Sequence, residues 1–169
     1  MLNKPDSHSM DDVYTKPGHL FRRMQQVAVS IFMEECKAFD LTPVQYASLV
    51  AIRALPGIDA TRLSAIIAFD RSTLGSVIER LESKSYIKRE PAPYDKRIKL
   101  LYLTKAGTIA LREIIPSVDR AQARMLKPLK ATDRKTLMAL MAQLVDLNND
   151  ASRVPLRAED AVEHFNRLR

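Results

Sequence analysis

The most informative pattern of apolar and polar positions lies between residues 59 and 107. Its helical and alternating spacings predict two short helices and then two strands, at 59–69, 70–84, 86–90 and 98–103. A basic loop joins the two strands. A helix pair followed by a β-hairpin with a cationic tip is a winged helix-turn-helix, and that shape fits the grooves of DNA.

A long helical pattern at 17–40 is apolar over roughly two-thirds of its circumference. Its polar residues gather on one narrow arc when the pattern is drawn at about 100° per residue. These polar residues are Arg22, Arg23, Gln26, Ser30, Glu34 and Lys37. A helix this apolar is poorly suited to packing on one side only. We therefore expect its own domain to cover one side and a second subunit to cover the other.

A clear helix start precedes the helix pair. Thr42 can cap the helix, Pro43 suits its first position, and Gln45 completes a capping box. The helix should end at Pro56 and Gly57, since these residues are typical of helix termination.

Further helices are predicted after the hairpin. A helical run begins at Thr104 and should bend at Pro116, because proline removes a hydrogen bond and clashes one turn back. Thr132 is expected to cap another helix, and a short helix at about 158–168 would follow.

These elements predict a mainly α protein with a small β-hairpin wing, organised as a single domain over 1–169. Residues 1–16 are polar and are expected to form a flexible arm. The segments 17–40 and 108–169 are expected to be N- and C-terminal dimerisation helices, and 41–107 the winged helix-turn-helix lobe.

The composition and net charge of the chain indicate which kinds of partner it can bind. The chain has 169 residues, a formal net charge of +7 and a sequence pI near 9.7. The charge favours an anionic partner, with nucleic acid ahead of a membrane surface. A single cysteine, Cys36, excludes an internal disulfide framework and suits a reducing cytoplasm. No apolar run has transmembrane length and no signal peptide is recognisable, so we expect a soluble, cytoplasmic protein without a membrane partner.

The second helix of the pair carries the candidates for base contacts. Its apolar stripe, which should face the core, consists of Leu74, Val77, Ile78 and Leu81. The opposite face carries Ser72, Ser76, Glu79 and Ser83, with Thr73 and Arg80 beside it. The candidates for groove contacts are Arg71, Ser72, Thr73 and Ser76 near the N-terminal turn, together with Arg80. Small hydroxyl side chains there allow close approach to base edges or phosphates. The alternative is that the same residues are only a helix cap and a solvated face.

The hairpin loop adds a cluster of positive charge. Within a dozen residues it gathers Lys88, Arg89, Lys96, Arg97 and Lys99. A thin, stiff, cationic loop can enter the minor groove, where the negative potential attracts arginine. Arg97 is the main candidate, with Asp95 orienting its guanidinium. The alternative is a solvated hairpin whose lysines oppose edge-to-edge aggregation.

Five motifs follow one another along the chain: Leu41-Thr-Pro-Val-Gln-Tyr46, Asp70-Arg-Ser-Thr73, Arg80-Leu-Glu82, Asp95-Lys-Arg97 and Leu103-Thr-Lys-Ala-Gly107. Together they resemble the MarR family of bacterial regulators. The resemblance covers residues 17–149. Two features depart from the pattern: Gly75 lies inside the second helix of the pair, and a tail continues beyond Asp150.

The resemblance implies a homodimer, usually a repressor, that binds a palindromic DNA operator. It also implies release of the operator when a small molecule, often a phenolic or aromatic acid, occupies a pocket. The wing arginine would reach the minor groove while the second helix of the pair reads the major groove. By matched position these roles fall to Arg97, Asp95, Ser72, Thr73 and Ser76.

An effector pocket is expected between the first helix, the second helix, the helix pair with its wing, and the helix after the wing. The polar candidates are His19, Arg22, Arg23 and Gln25, of which Gln25 lies off the polar arc. An arginine could hold a carboxylate by a bidentate pair, so the hypothesis is an aromatic acid or its thioester. The alternative is that both arginines lie in the solvated arc.

Three other functions are weighed. A winged helix can dock a protein partner, but such a surface needs an exposed anchor, and Tyr94 is the only aromatic residue at the wing tip. Cys36 suggests a thiol-based redox sensor, although its apolar setting is typical of an inert cysteine. An enzyme is not indicated, because no Gly-rich phosphate loop, nucleophile elbow or metal-ligand spacing occurs. No catalytic residue, metal or cofactor is therefore predicted.

Overall fold

The computed structural model describes residues 9–156, which are mainly helical with one small sheet. The helices of this part are α1 (Met10–Thr15), α2 (Pro17–Glu35), α3 (Pro43–Ala54), α4 (Ala60–Ile66), α5 (Arg71–Ser83), α6 (Lys105–Leu126) and α7 (Ala131–Leu147). The strands are β1 (Ile58–Asp59), β2 (Ile87–Pro91) and β3 (Lys99–Leu103). Short 3-10 turns lie at Lys37–Phe39 and Asn149–Ala151. The predicted mainly α winged helix-turn-helix fold is confirmed.

The N-terminal segment differs from the flexible arm expected at 1–16. Ser9 caps α1 by accepting a hydrogen bond from the Asp12 backbone N–H at 3.3 Å, and Lys16 pairs with Asp12 at 2.9 Å. These local contacts support a helix at Met10–Thr15 that no apolar periodicity predicts. Residues 1–8 lie outside the described part of the chain.

The winged helix-turn-helix lobe surrounds one apolar core. α3 begins with the predicted capping box, in which the Gln45 N–H donates to Thr42 Oγ1 at 3.3 Å and the Thr42 N–H donates to Gln45 Oε1 at 2.9 Å. The fully buried side chains of this core include Leu49, Ile52, Leu63, Leu74, Leu81, Ile87, Leu101, Leu111 and Ile114. They come from α3, the helix pair, the hairpin and α6. One core therefore supports both the helix pair and the wing.

The sheet contains a strand that the sequence pattern did not predict. β1 pairs antiparallel with β3, with Ile58 opposite Leu101, so the strand order is β1–β3–β2. β2 and β3 form the predicted hairpin, with Ile87 opposite Leu103. A strand of two residues is too short to show a period, which is why β1 left no signal. It anchors the base of the wing to the residue that caps α4, Asp59.

Gly107→Ala is expected to lower the free energy of unfolding by about 3 kcal/mol, the upper end of the usual cost of overpacking. Gly107 is buried at the start of α6, and an added Cβ would lie 1.9 Å from the Tyr86 carbonyl oxygen. Chemical denaturation measures the effect. Gly18→Ala is the matched control, because a Cβ there meets nothing within 4 Å. Equal stability of both variants would contradict this packing.

The two long C-terminal helices bear on two predictions. α6 continues through Pro116 without a break, and the bend expected there stays a prediction. Both Pro116 and Arg112 are exposed, so water can solvate the Arg112 carbonyl that the proline leaves without a donor. Thr132 does not cap α7, because the helix begins at Ala131 and Lys130 is its N-cap. The helix predicted at about 158–168 lies outside the described residues.

Large apolar side chains are exposed on both α2 and α7. On α2 they are Leu20, Phe21, Met24, Val27, Val29 and Met33, and Phe32 is the only buried residue of this helix. On α7 they are Met138, Leu140, Met141, Leu144, Val145 and Leu147, and none of its residues is buried. Several large apolar side chains exposed together on one helix are typical of an interaction site. Among the described residues, no helix combines the length and apolarity that a membrane span requires.

Candidate nucleic-acid interface

The second helix of the pair, α5, presents a buried face and an exposed face. Leu74, Val77, Ile78 and Leu81 are all buried, as predicted. The predicted contact residues are all exposed, and they are Arg71, Ser72, Thr73, Ser76 and Arg80. The buried stripe fixes the rotation of the helix about its axis, so the polar side must face outward. We call α5 the reading helix and this exposed side its reading face.

The side chain that caps the reading helix is Asp70, and the hydroxyl groups of the first turns donate to it or to nearby backbone carbonyls. The Ser72 N–H donates to Asp70 Oδ1 at 2.8 Å, and the Ser72 hydroxyl donates to the same oxygen. The Thr73 hydroxyl donates to the Asp70 carbonyl at 3.2 Å, and the Ser76 hydroxyl donates to the Thr73 carbonyl at 2.9 Å. The hydrogen bonds from Ser72 lower the pKa of Asp70. The cap is therefore Asp70 and not one of the hydroxyl residues, and each hydroxyl keeps its acceptor lone pairs for a partner.

The wing tip holds its arginine on an aspartate. Asp95 accepts hydrogen bonds from the Arg97 backbone N–H at 3.0 Å, from Nε at 3.0 Å and from Nη2 at 2.8 Å. These bonds lower the pKa of Asp95 and raise the pKa of Arg97. The Arg97 side chain is nevertheless 91% exposed, against 29% for Asp95. The guanidinium is thus oriented and remains open to an outside anion. Lys96, beside it, is also exposed.

A groove of about 480 Å³ separates the reading helix from the wing. Its cationic lining residues are Arg62, Arg71, Arg89, Arg97 and Lys99. The acidic lining residues are Asp59, whose carboxylate caps α4 through the Thr61 and Arg62 N–H groups, and Glu79. Arg89 pairs with Glu82. The groove, which we call the wing groove, is net cationic and joins the reading face to Arg97. The sequence pattern placed Glu79 on the exposed face and Gly75 within the helix without giving either a contact role, and it did not single out Arg62.

Arg80, in the last turn of the reading helix, does not line the wing groove. It borders a smaller polar cleft of about 260 Å³ with Ser83, Lys84 and Asp40. Lys84 Nζ lies 2.5 Å from Asp40 Oδ2, and this hydrogen bond lowers the pKa of Asp40. The predicted DNA contacts therefore lie along the whole length of the reading helix and at the tip of the wing.

The four predicted effector residues do not converge on one cavity of the protomer. Arg22, Arg23 and Gln25 are exposed, and His19 is half-buried. Arg22 Nη2 lies 3.5 Å from His19 Nδ1, and Arg23 donates to Gln26 Oε1 at 2.9 Å. None of the four lines the three cavities described in residues 9–156.

An apolar cleft of about 540 Å³ lies between α2, the segment before the reading helix and the end of α7, and its lining from α7 was not predicted from the sequence. We call it the lobe cleft. Its lining residues are Phe21 of α2, Ala68 before the reading helix, Met141, Leu144, Val145 and Asn148 near the end of α7, and four residues of the following segment, Asn149, Ser152, Val154 and Leu156. Arg153 of this segment lies 3.6 Å from Asp70, the cap of the reading helix. The cleft thus adjoins the DNA-reading element.

Cys36 lies in the core and is 1% exposed. Burial raises the pKa of its thiol, Glu35 raises it further, and Arg120 opposes them. Reactive cysteines are exposed and have a lowered pKa, so this setting is typical of an inert thiol. Peroxide treatment is therefore expected to leave operator binding unchanged in a fluorescence anisotropy titration. A loss of binding that dithiothreitol reverses and Cys36→Ala abolishes would support the redox alternative.

Comparison with known proteins places this arrangement in a family. A family model described as the MarR family matches residues 41–99. The HTH-type transcriptional repressor NicR of Pseudomonas putida is 27% identical over 151 residues, 87% of this chain and 96% of NicR. The HTH-type transcriptional regulator YybA of Bacillus subtilis is 30% identical over 132 residues, 78% of this chain and 85% of YybA.

Two similar solved structures are informative about operator DNA and about a small-molecule regulator. A cysteine-to-serine mutant of Escherichia coli MarR complexed with operator DNA has a TM-score of 0.73 and 25% identity, over 82% of this chain and 99% of that one. Bordetella bronchiseptica BpsR, whose DNA binding is regulated by 6-hydroxynicotinic acid, has a TM-score of 0.72 and 27% identity, over 79% and 95%. The resemblance read from the motifs is confirmed: this chain belongs to the MarR family of transcriptional regulators.

Proposed function

We propose that this chain is a sequence-specific DNA-binding regulator that acts as a homodimer, most simply as a repressor in the bacterial cytoplasm. It has no enzymatic role in this proposal. The observation that carries it is the wing groove, which joins the exposed reading face to an arginine held on Asp95 and 91% exposed. MarR, a family member, has been crystallised with operator DNA.

The two sides of the wing groove suit the two grooves of a duplex. The reading helix enters the major groove with its N-terminal turn, where Arg71, Ser72 and Thr73 meet base edges or phosphates. The wing enters the adjacent minor groove with Arg97. Between them, Arg89 and Lys99 of the wing groove face the phosphate backbone that separates the two DNA grooves.

A second copy of the chain is the proposed cover for the apolar faces of α2 and α7. Both helices leave large apolar side chains exposed, and both lie outside the winged helix-turn-helix lobe. Pairing through these faces leaves both reading helices free. A twofold dimer then requires a palindromic operator whose half-sites lie about one helical turn, or roughly 34 Å, apart.

Fluorescence anisotropy with DNA from upstream of the protein's own gene tests this function. At about 150 mM salt, we expect that fragment to bind roughly three orders of magnitude more tightly than a scrambled one. Equal, weak and steeply salt-dependent binding of both fragments would show a basic surface only and contradict sequence-specific recognition at this gene. The protein-docking alternative would then be favoured.

We further propose that an aromatic acid occupies the lobe cleft and weakens DNA binding. The volume and apolar lining of the cleft suit an aromatic ring. Phe21 lines it, and Gln25 follows one helical turn later on the same face of α2. Arg22, adjacent to Phe21 in the chain, is the proposed partner of the carboxylate. The ligand class is supported by BpsR, whose regulator is 6-hydroxynicotinic acid.

Titration with benzoic, hydroxybenzoic and hydroxynicotinic acids is expected to raise the Tm and to lower operator affinity for at least one acid. A ligand that binds only the folded protein stabilises it, by about 2.7 kcal/mol at 100 times its Kd. Gln25→Ala should weaken both responses, while Gln143→Ala, an exposed change on α7, should leave them intact. An unchanged Tm and an unchanged operator affinity across the panel would contradict the proposal.

A further inference from the structure

The reading helix contains a glycine that the fold does not require. Gly75 lies in the middle of α5 and has no positive φ, so its backbone suits any residue. A Cβ added at this position would meet nothing within 4 Å. Glycine is among the poorest helix formers, second only to proline, and alanine is the best. Nothing inside the protomer therefore explains why this position lacks a side chain.

Gly75 lies in a row with two charged residues. Arg71, Gly75 and Glu79 are spaced by four residues, so they share one face of the reading helix. All three are exposed, and all three line the wing groove. At about 1.5 Å per residue the row is roughly 12 Å long, which matches three or four base pairs at about 3.4 Å each.

The negative charge of Glu79 does not suit a face that meets only phosphates. Within the described residues it forms no ion pair, because Arg89, the nearby cation, pairs with Glu82 instead. A carboxylate on a face that met only phosphates would be repelled. Opposite base edges it is useful, because a carboxylate accepts the hydrogen bond that the cytosine N4 amine donates in the major groove.

We propose that Arg71, Gly75 and Glu79 form a base-reading row that sets operator specificity. Arg71 donates to a guanine, Glu79 accepts from the N4 amine of a cytosine, and Gly75 leaves the space in which the base edges between them approach the helix backbone. This inference rests on the proposed DNA-binding function. It assigns specificity to Gly75 and Glu79, which lie outside the hydroxyl-rich first turn.

Gly75→Ala tests whether the glycine serves the fold or the recognition of DNA. The variant should have a higher Tm, because alanine favours the helix and its Cβ meets no atom of the protomer. It should also bind the operator at least about tenfold more weakly, the effect expected of one spoiled base contact. Gly18→Ala, with equally open space, should gain stability without losing affinity. Unchanged or tighter operator binding by Gly75→Ala would overturn the role given to this glycine.

Glu79→Gln tests the cytosine contact. Wild type and variant are titrated against operators in which each base pair of a half-site is replaced in turn. Wild type should prefer cytosine at one position of the row by about tenfold or more, and Glu79→Gln should lose that preference or shift it toward adenine, which glutamine recognises. Glu113→Gln removes the same charge from exposed α6 and should change no base preference.

The outcomes distinguish this inference from the proposed function. If wild type selects the operator but Glu79→Gln keeps every base preference, the base-reading row is contradicted. The proposed function as a sequence-specific regulator is then unaffected. If the variant changes affinity equally for all operators, Glu79 acts through overall charge and the row is again contradicted. If wild type itself shows no base preference, both the row and the sequence-specific function fail.

Discussion

The double variant Leu140→Glu with Leu144→Glu is expected to be monomeric and to bind the operator about 10²- to 10⁴-fold more weakly than wild type. This range is the usual gain from linking two binding modules. The two leucines lie four residues apart on one face of α7 and are 54% and 48% exposed in the protomer. Sedimentation velocity reports the mass and fluorescence anisotropy reports the affinity.

The two glutamates should raise the free energy of the monomer only slightly and that of the dimer strongly. Within the described protomer no residue of α7 is buried, so glutamates at these positions remain hydrated if the chain stays alone. In a dimer they would be buried without a partner, which is strongly unfavourable. The apolar faces of α2 and α7 then separate, and each half-site is bound by one chain only.

Ala139→Glu is the control for this double variant. Ala139 is exposed on the polar side of α7, where Lys135 precedes it by one turn and Asp146 follows it by two. This variant should stay dimeric with wild-type affinity. A Leu140 and Leu144 variant that remains dimeric, or a monomer that still binds the full operator tightly, would contradict the proposed dimerisation through α7.

Arg97→Ala is expected to weaken operator binding by about 1–3 kcal/mol, or roughly 5- to 150-fold. Its guanidinium is highly exposed at the wing tip, and its Nε and Nη2 donate hydrogen bonds to the Asp95 carboxylate at 3.0 Å and 2.8 Å. A fixed cation loses less conformational entropy on entering the minor groove than a free one. Anisotropy titrations at several salt concentrations measure the change.

Asp95→Ala and Arg112→Ala complete the test of the wing. Asp95→Ala keeps Arg97 but removes the hydrogen bonds that orient its guanidinium. Its loss of operator affinity should therefore be smaller than that of Arg97→Ala, and the double variant should lose as much affinity as Arg97→Ala alone. Arg112→Ala removes an equal charge from exposed α6 and should have little effect. Equal losses in Arg97→Ala and Arg112→Ala would show that only net charge matters.

The ion pair of the wing should not make binding depend on pH near neutrality. Hydrogen bonds from Arg97 lower the pKa of Asp95. The contribution of the pair is therefore fully present above the ordinary carboxyl pKa of about 3.9, and it is lost as the pH falls through the lowered value. Between about pH 6 and 8 the difference between wild type and Asp95→Ala should stay constant.

The elements that the sequence predicted well are those with local signals. The capping box of Thr42 and Gln45 and the apolar stripe of the reading helix each lie within a few residues of one another, so spacing alone reveals them. The Asp95 and Arg97 pair is also local and is present as expected. β1 and α1 were missed because one has two residues and the other has no buried face.

The sites that the sequence could not predict are made of distant segments. The wing groove combines α4, the reading helix and both wing strands, and the lobe cleft combines α2 with the end of α7. No spacing rule connects such segments, since their meeting is decided by tertiary packing. The candidate set His19, Arg22, Arg23 and Gln25 came from one helix, and for that reason it did not identify the residues across the cleft.

Hydroxyl-radical footprinting of an operator fragment maps the protected sugars of each strand. It therefore distinguishes a dimer that reads two half-sites from a protein with a merely basic surface. A dimer of this kind should give two protected segments whose centres lie about one helical turn apart, roughly 34 Å along the duplex. Each segment should be flanked by a minor-groove protection that disappears with Arg97→Ala. Weak, even protection along the operator and along an unrelated fragment alike would contradict a dimer that reads two half-sites.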